Sequence, residues 1–256
     1  MDARELTGSI VALVTPFASD GSIDFEALSH LVDFHLQNHT DGLLILGTTG
    51  ESSTMTHEED NAVVQAVVKQ VGGRIPVIAG SGSNCTQTMV EKSLAYQELG
   101  ADGLLIITPY YNKSNEEGIY QHLKKVADAV DIPCILYNIP GRTGCSISLR
   151  NIERLAVHPN VMGLKEASGN VGFAADAARF INDDFRMYSG EDALTVPLMS
   201  LGASGTISVW ANLQPRKVHH MCAAFLDGDV ETARSLQLAA LPLIHGLFSE
   251  VNPIPV

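Results

Sequence analysis

Eight short runs rich in Val, Ile and Leu recur along this chain, at 9–15, 42–46, 76–79, 103–107, 133–137, 161–165, 185–188 and 205–209. Each is continuously apolar instead of alternating, as expected for parallel strands covered on both faces. The intervening segments carry helix-start signals. Thr56-His-Glu-Glu59 reads as a capping box ahead of 62–71, Asp24 is placed to cap a helix running to Leu36, and Thr86 one running to Leu99. Glycines at Gly72, Gly73, Gly100 and Gly202 follow helical stretches. Eight strand–helix units predict an α/β fold, a (β/α)8 TIM barrel. The rival is a doubly wound open sheet, which the count of eight and the lack of GxGxxG after the first strand disfavour.

Two further helical segments, 215–226 and 230–248, follow the eighth strand and are split by Asp227-Gly-Asp229. The reading is a barrel over 1–212 with a helical extension over 213–256 in the same unit. That extension looks incomplete where it stops on Asn252-Pro-Ile-Pro-Val256.

Only 18% of residues are charged while 45% are hydrophobic, against about 25% charged on average, which implies a sizeable buried surface. The net charge of −13 argues against nucleic acid or an anionic membrane as a partner. The four cysteines, Cys85, Cys134, Cys145 and Cys222, form no CxxC pair. They read as reduced thiols of a cytoplasmic protein. No secretory signal and no membrane-spanning run is expected.

In a barrel of this kind, residues just past the strand C-termini face the active site. Lys165 is the anomaly among them. It ends the apolar run Val161-Met-Gly-Leu-Lys, where an ammonium costs several kcal/mol of desolvation unless paired or neutralised. The other lysines, Lys92 among them, fall in helical or loop stretches open to water. A lysine that loses its proton easily is an amine nucleophile toward carbonyls. The structural alternative is a buried pair with Glu166.

Other strand ends supply matching groups. Gly47-Thr-Thr-Gly-Glu-Ser52 offers hydroxyls and backbone N–H groups for a small carboxylate, or is a capped tight turn. Adjacent Tyr110 and Tyr111 point to opposite sides, one to a pocket and one to an interface. Tyr137 is placed on the strand beside that of Lys165 and can shuttle a proton. Arg142, in a Pro/Gly loop, can clamp a carboxylate. The stretch around Gly190 shapes the pocket wall. The histidines are scattered without ligand spacing, so no metal is predicted and solvated helix histidines are expected.

Four motifs, GTTGES at 47–52, PYYN at 109–112, YNIPGRTG at 137–144 and GLKEASG at 163–169, resemble the dihydrodipicolinate synthase/N-acetylneuraminate lyase family. The resemblance runs from Gly8 to Val256. It implies a Schiff base between Lys165 and pyruvate, with Tyr137 as proton shuttle. It also implies that Thr49 links Tyr137 to Tyr111 of a partner subunit, and that Thr48 binds the pyruvate carboxylate. Arg142 would hold the carboxylate of aspartate semialdehyde, and Ile207 and Gly190 would line the pocket. Sialic acid lyases generally lack the RTG arginine, so Arg142 favours condensation of pyruvate with L-aspartate 4-semialdehyde, a step of lysine and diaminopimelate biosynthesis. The alternatives are another pyruvate-dependent aldolase, acting on N-acetylneuraminate or a keto-deoxy sugar acid, or a keto-acid-binding barrel without turnover.

No cofactor is expected beyond the covalent imine, and the expected assembly is a homotetramer, a dimer of dimers. In relatives with lysine feedback, the regulatory site maps onto Ser52, Ser53, His57, Asn84 and Tyr110. Here Asp60 replaces a usual histidine and Thr88 a usual glutamate, which removes an acid for the ligand's amine. Family chains also continue past NPIPV with further helices, so the resemblance implies reduced assembly or activity for a chain that stops there.

Overall fold

The computed structural model describes residues 3–256. Eight strands, β1 (Gly8–Ala12), β2 (Gly42–Ile45), β3 (Val77–Gly80), β4 (Gly103–Ile107), β5 (Cys134–Asn138), β6 (Val161–Glu166), β7 (Arg186–Ser189) and β8 (Gly205–Ser208), close into a barrel in sequence order. Every neighbouring pair is parallel, with β8 returning to β1 through Gly8↔Gly205 and Ile10↔Ile207. The expected eight strands are all present. β3, β5 and β7 each begin one residue later than expected, in β3 and β5 because Pro76 and Pro133 have no N–H for the ladder. Their carbonyls still accept from Leu43 and Leu104. The first strand ends at Ala12, and residues 13–16 that follow are irregular.

Ten α-helices among the described residues surround or cap the barrel: α1 (Phe25–Gln37), α2 (His57–Val71), α3 (Thr86–Glu98), α4 (Glu116–Ala129), the one-turn α5 (Pro140–Thr143), α6 (Leu149–Ala156), α7 (Val171–Ala178), α8 (Thr195–Met199), α9 (Pro215–Leu226) and α10 (Val230–Leu247). Asp24 caps α1, and Thr56 with Glu59 forms the capping box of α2. Thr86 does not cap α3. It is the first helical residue, and its hydroxyl instead lies 2.8 Å from His122 Nδ1. No helix among the described residues is long and apolar enough to cross a membrane.

The side chains sort by parity. Ile10, Leu44, Ile78, Leu105, Ile135, Tyr137, Met162, Tyr188 and Ile207 pack inside the barrel. Alternate strand residues such as Val11, Leu43, Leu104, Leu136 and Leu164 join the larger core between strands and helices. Met162 and Leu164 therefore lie on opposite sides although two residues apart. The cause is a bulge: Cys134 pairs with Val161 but Ile135 pairs with Gly163, leaving Met162 as the extra residue. The bulge shifts the inward parity of β6 by one and so carries Lys165 to the interior. Gly163 is needed at this point because a Cβ there would lie 2.4 Å from the Arg186 carbonyl oxygen.

Two expectations about charge fail. Lys92 is buried on α3 and pairs with buried Asp60 of α2 at 2.8 Å. His35 and His122 are buried in the helix layer, not solvated. The Nδ1 of His35 lies 2.9 Å from the Thr40 hydroxyl, and burial pulls its pKa down to about 4. Helix periodicity brings a polar side chain inward wherever one neighbour can satisfy it, and hydropathy does not register such a partner.

Candidate active site

Lys165 enters the barrel near the C-terminal end of β6 and is 6% exposed. Tyr137 is its register partner on β5. The lysine Nζ stands 4.3 Å from the centroid of the Tyr137 ring. On the other side, Gly190 follows β7 so closely that a Cβ there would lie 2.9 Å from Lys165 Cε. Only glycine leaves the lysine stem this path. Burial lowers the lysine pKa to about 7; Asp192 opposes the fall and Arg142 adds to it. Near neutrality a large share of Lys165 is therefore the free amine.

Lys165 does not pair with Glu166. Adjacent strand residues face opposite sides, and Glu166 accepts hydrogen bonds from Asn138 Nδ2 and the Ser168 N–H, both at 2.7 Å. The carboxylate that acts on Lys165 is Asp192, fully buried in the loop after β7. It accepts from the backbone N–H groups of Val209 and Trp210, each at 2.9 Å.

The loop 47–52 is framed by two non-glycine residues in the left-handed region, Leu46 at φ 55° and Glu51 at φ 57°. Such conformations persist where the surroundings over-determine them. Thr48 and Thr49 within the loop have different partners. Tyr137 shares a side-chain hydrogen bond with Thr48, while burial raises its pKa to about 12. The Thr49 hydroxyl accepts from Asn252 Nδ2 at 3.0 Å. These contacts favour Thr48 over the expected Thr49 as the partner of Tyr137, since Thr48 acts on the phenol and Thr49 lies against the C-terminal segment.

Arg142 projects from α5, whose first residue is Pro140. Its Nη2 donates to the Asn252 carbonyl at 2.8 Å. Two cavities meet along Gly47, Thr48, Tyr137 and Arg142. The inner one, about 60 Å³, is also lined by Thr49, Lys165, Gly190, Glu191, Phe248 and Asn252. The outer one, about 440 Å³, adds Ser52, Ser53, Tyr110 and Tyr111.

Six of the expected residues, Lys165, Tyr137, Thr48, Thr49, Arg142 and Gly190, therefore surround the inner cavity. Tyr111 is 91% exposed at φ 67°, on the rim of the outer cavity. Ile207 is not on either cavity wall. It belongs to the packed interior layer, and Val209 supplies the wall position that follows β8. Ser52, Ser53 and Tyr110 line the outer cavity, but His57 and Asn84 do not. Lys92 Nζ donates to Ser52 Oγ at 3.2 Å as well as pairing with Asp60.

Sequence reasoning missed Asn252, Phe248, Glu191 and Asp192. Phe248 closes the second helical segment, and Asn252 opens the stretch that reads as a terminal turn. The adjacent acids Glu191 and Asp192 at a strand end were the available signal for the other two.

Comparison with known proteins finds relatives over nearly the whole chain. A family model described as the dihydrodipicolinate synthetase family matches residues 5–256. A 4-hydroxy-tetrahydrodipicolinate synthase of Pseudomonas savastanoi pv. phaseolicola is 50% identical over 251 residues, covering 98% of this chain and 86% of that protein. The solved dihydrodipicolinate synthase of Aquifex aeolicus superposes with a TM-score of 0.95 at 46% identity, over 97% of this chain and 85% of that one. A chloride-inhibited dihydrodipicolinate synthase of Acinetobacter baumannii, solved in complex with pyruvate, gives a TM-score of 0.95 at 43% identity, over 98% and 86%.

Proposed function

The chain belongs to the dihydrodipicolinate synthetase family, and from that premise we propose how its cavity works as a 4-hydroxy-tetrahydrodipicolinate synthase. It is a class I lyase that condenses pyruvate with L-aspartate 4-semialdehyde through a lysine imine, in the biosynthesis of lysine. The observation that carries the reading is the buried Lys165 amine beside the Tyr137 ring, at the base of a cavity roofed by Arg142.

The Lys165 amine attacks the pyruvate carbonyl carbon, and loss of water leaves a protonated imine. The lowered lysine pKa supplies the free amine this step needs. The iminium draws electrons from the pyruvate methyl group, which gives up a proton to form the enamine. The enamine carbon attacks the aldehyde of the second substrate, forming the new C–C bond, and the resulting alkoxide takes a proton. The amine of that substrate then adds to the imine carbon and expels the Lys165 nitrogen as free amine, closing the six-membered ring.

Tyr137 and Thr48 are the groups placed to pass these protons, since the Thr48 hydroxyl acts on the Tyr137 phenol and the phenol ring lies against the lysine. Thr49 and the backbone N–H groups of its loop form the cradle for the pyruvate carboxylate. Arg142, at the junction of the two cavities, receives the carboxylate of aspartate semialdehyde. A homo-oligomer fits the near-complete exposure of Tyr111 on its strained loop, and sedimentation tests it. No further cofactor enters the scheme.

Borohydride reduction in the presence of pyruvate tests the reading. A pyruvyl mass on the peptide carrying Lys165 is the expected result, and folded protein without an adduct refutes it.

A further inference from the structure

We propose that Glu191 is the receptor for the ammonium group of the second substrate, and so the residue that selects a 2-amino aldehyde acid over its deaminated analogue. The inference rests on the condensation assigned above. In that reaction the ammonium sits on the carbon bearing the carboxylate, and the nitrogen must end within bonding distance of the imine carbon on Lys165. With the carboxylate on Arg142, the ammonium is confined between Arg142 and Lys165. Both of these are cationic during the reaction, the one as guanidinium and the other as iminium. A third positive charge there needs an anion facing it.

Glu191 is the one acidic side chain among the residues that line the two cavities. It shares the inner cavity wall with Lys165, Arg142 and Tyr137, and its charge acts on the Tyr137 phenol. The loop is braced, with the Ser189 hydroxyl donating to the Glu191 carbonyl at 2.8 Å. Asp192, next in sequence, lines neither cavity, and its Oδ2 accepts from the Val209 and Trp210 N–H groups. Burial and the neighbouring Asp192 both raise the Glu191 pKa, as for a carboxylate short of a cationic partner. The protein donor that reaches its side chain is the Ala193 N–H. The rival role is therefore a simple cap of the turn that follows.

Glu191→Gln separates the two roles, because the amide oxygen can still accept from Ala193 while the charge is lost. Three measurements are made on the wild type and the variant: borohydride-trapped pyruvyl adduct on Lys165, kcat/KM with L-aspartate 4-semialdehyde, and the rate of adduct growth on Lys165 with pyruvate plus succinic semialdehyde. The last aldehyde has the same carboxylate and carbonyl but no amine, so its addition product cannot close a ring. The expected result is a fall of about tenfold to a hundredfold in kcat/KM for aspartate semialdehyde, as for loss of a charged hydrogen bond. Addition to succinic semialdehyde should change by less than about twofold on the same basis. Equal losses with both aldehydes, or no loss with the amino aldehyde, overturn the proposal. Trapped pyruvate in the variant certifies a folded site. No pyruvyl adduct on the wild type would instead refute the condensation assignment itself.

Discussion

Replacing Lys165 by methionine should stabilise the folded barrel, and by more at pH 7 than at pH 9. The lysine titrates at about 7 in the folded protein against 10.5 when unfolded. Between those values the unfolded chain holds one more proton than the folded one, so stability rises with pH. The penalty for burying the amine is complete below pH 7 and gone above 10.5. At full strength the gap of about 3.5 corresponds to about 5 kcal/mol. Integrated over the two titrations, about 4 kcal/mol of it acts at pH 7 and about 2 kcal/mol at pH 9. The side chain is fully buried, so solvent screening does not dilute these figures.

Methionine has similar length and no charge, and can keep the contacts along Gly190 and the Tyr137 ring. Its gain over wild type should therefore shrink by about 2 kcal/mol between the two pH values. Urea unfolding of both proteins at both pH values measures this double difference, in which the titrating groups that do not interact with Lys165 cancel. A gain of the same size at both pH values would show that Lys165 carries no buried-charge penalty. The account of its reactivity would then fail with it.

The same depressed pKa predicts that the rate of pyruvate adduct formation climbs about tenfold per pH unit below pH 7 and flattens above. Quenched-flow mass spectrometry follows this, and a rate still climbing at pH 9 contradicts it. Thr48→Val should slow deuterium exchange of the pyruvate methyl by about a hundredfold, as for loss of a proton relay, whereas Thr49→Val should mainly raise the KM for pyruvate. The reverse pattern would restore the opposite assignment. Arg142→Ala should leave the pyruvate adduct intact and cripple the second half-reaction, and equal loss of both would contradict its role. Lys92→Met strands Asp60 as a buried unpaired charge and should cost about 3–5 kcal/mol in urea unfolding, mostly recovered by the double variant Lys92→Met/Asp60→Leu.

The barrel was legible because each parallel strand is buried on both faces and so must be a continuous apolar run. What the runs hide is which face each residue takes. In β6 the parity turns on the single extra residue Met162, and no hydropathy pattern separates Met162 in a bulge from Met162 in a regular ladder. Lys165 reads as an anomaly either way, but only the bulged strand aims it at Tyr137. Lys92 shows the converse. It looked solvated because α3 is weakly amphipathic, and its burial depends on Asp60, which sits on another helix.

The threonine loop marks a second limit. Thr48 and Thr49 are chemically identical neighbours, so composition and motif cannot divide relay from cradle between them. The division is made by their partners: Thr48 acts on the Tyr137 phenol, and Asn252 engages Thr49 across 203 residues of sequence. The same Asn252 offers its carbonyl to Arg142 across 110 residues. A stretch that reads as a terminal turn thus joins the carboxylate cradle to the guanidinium above it. On the roles proposed for Thr49 and Arg142, Asn252 therefore ties the two carboxylate sites to one another, and the combined length of the two substrates has to match the spacing it sets.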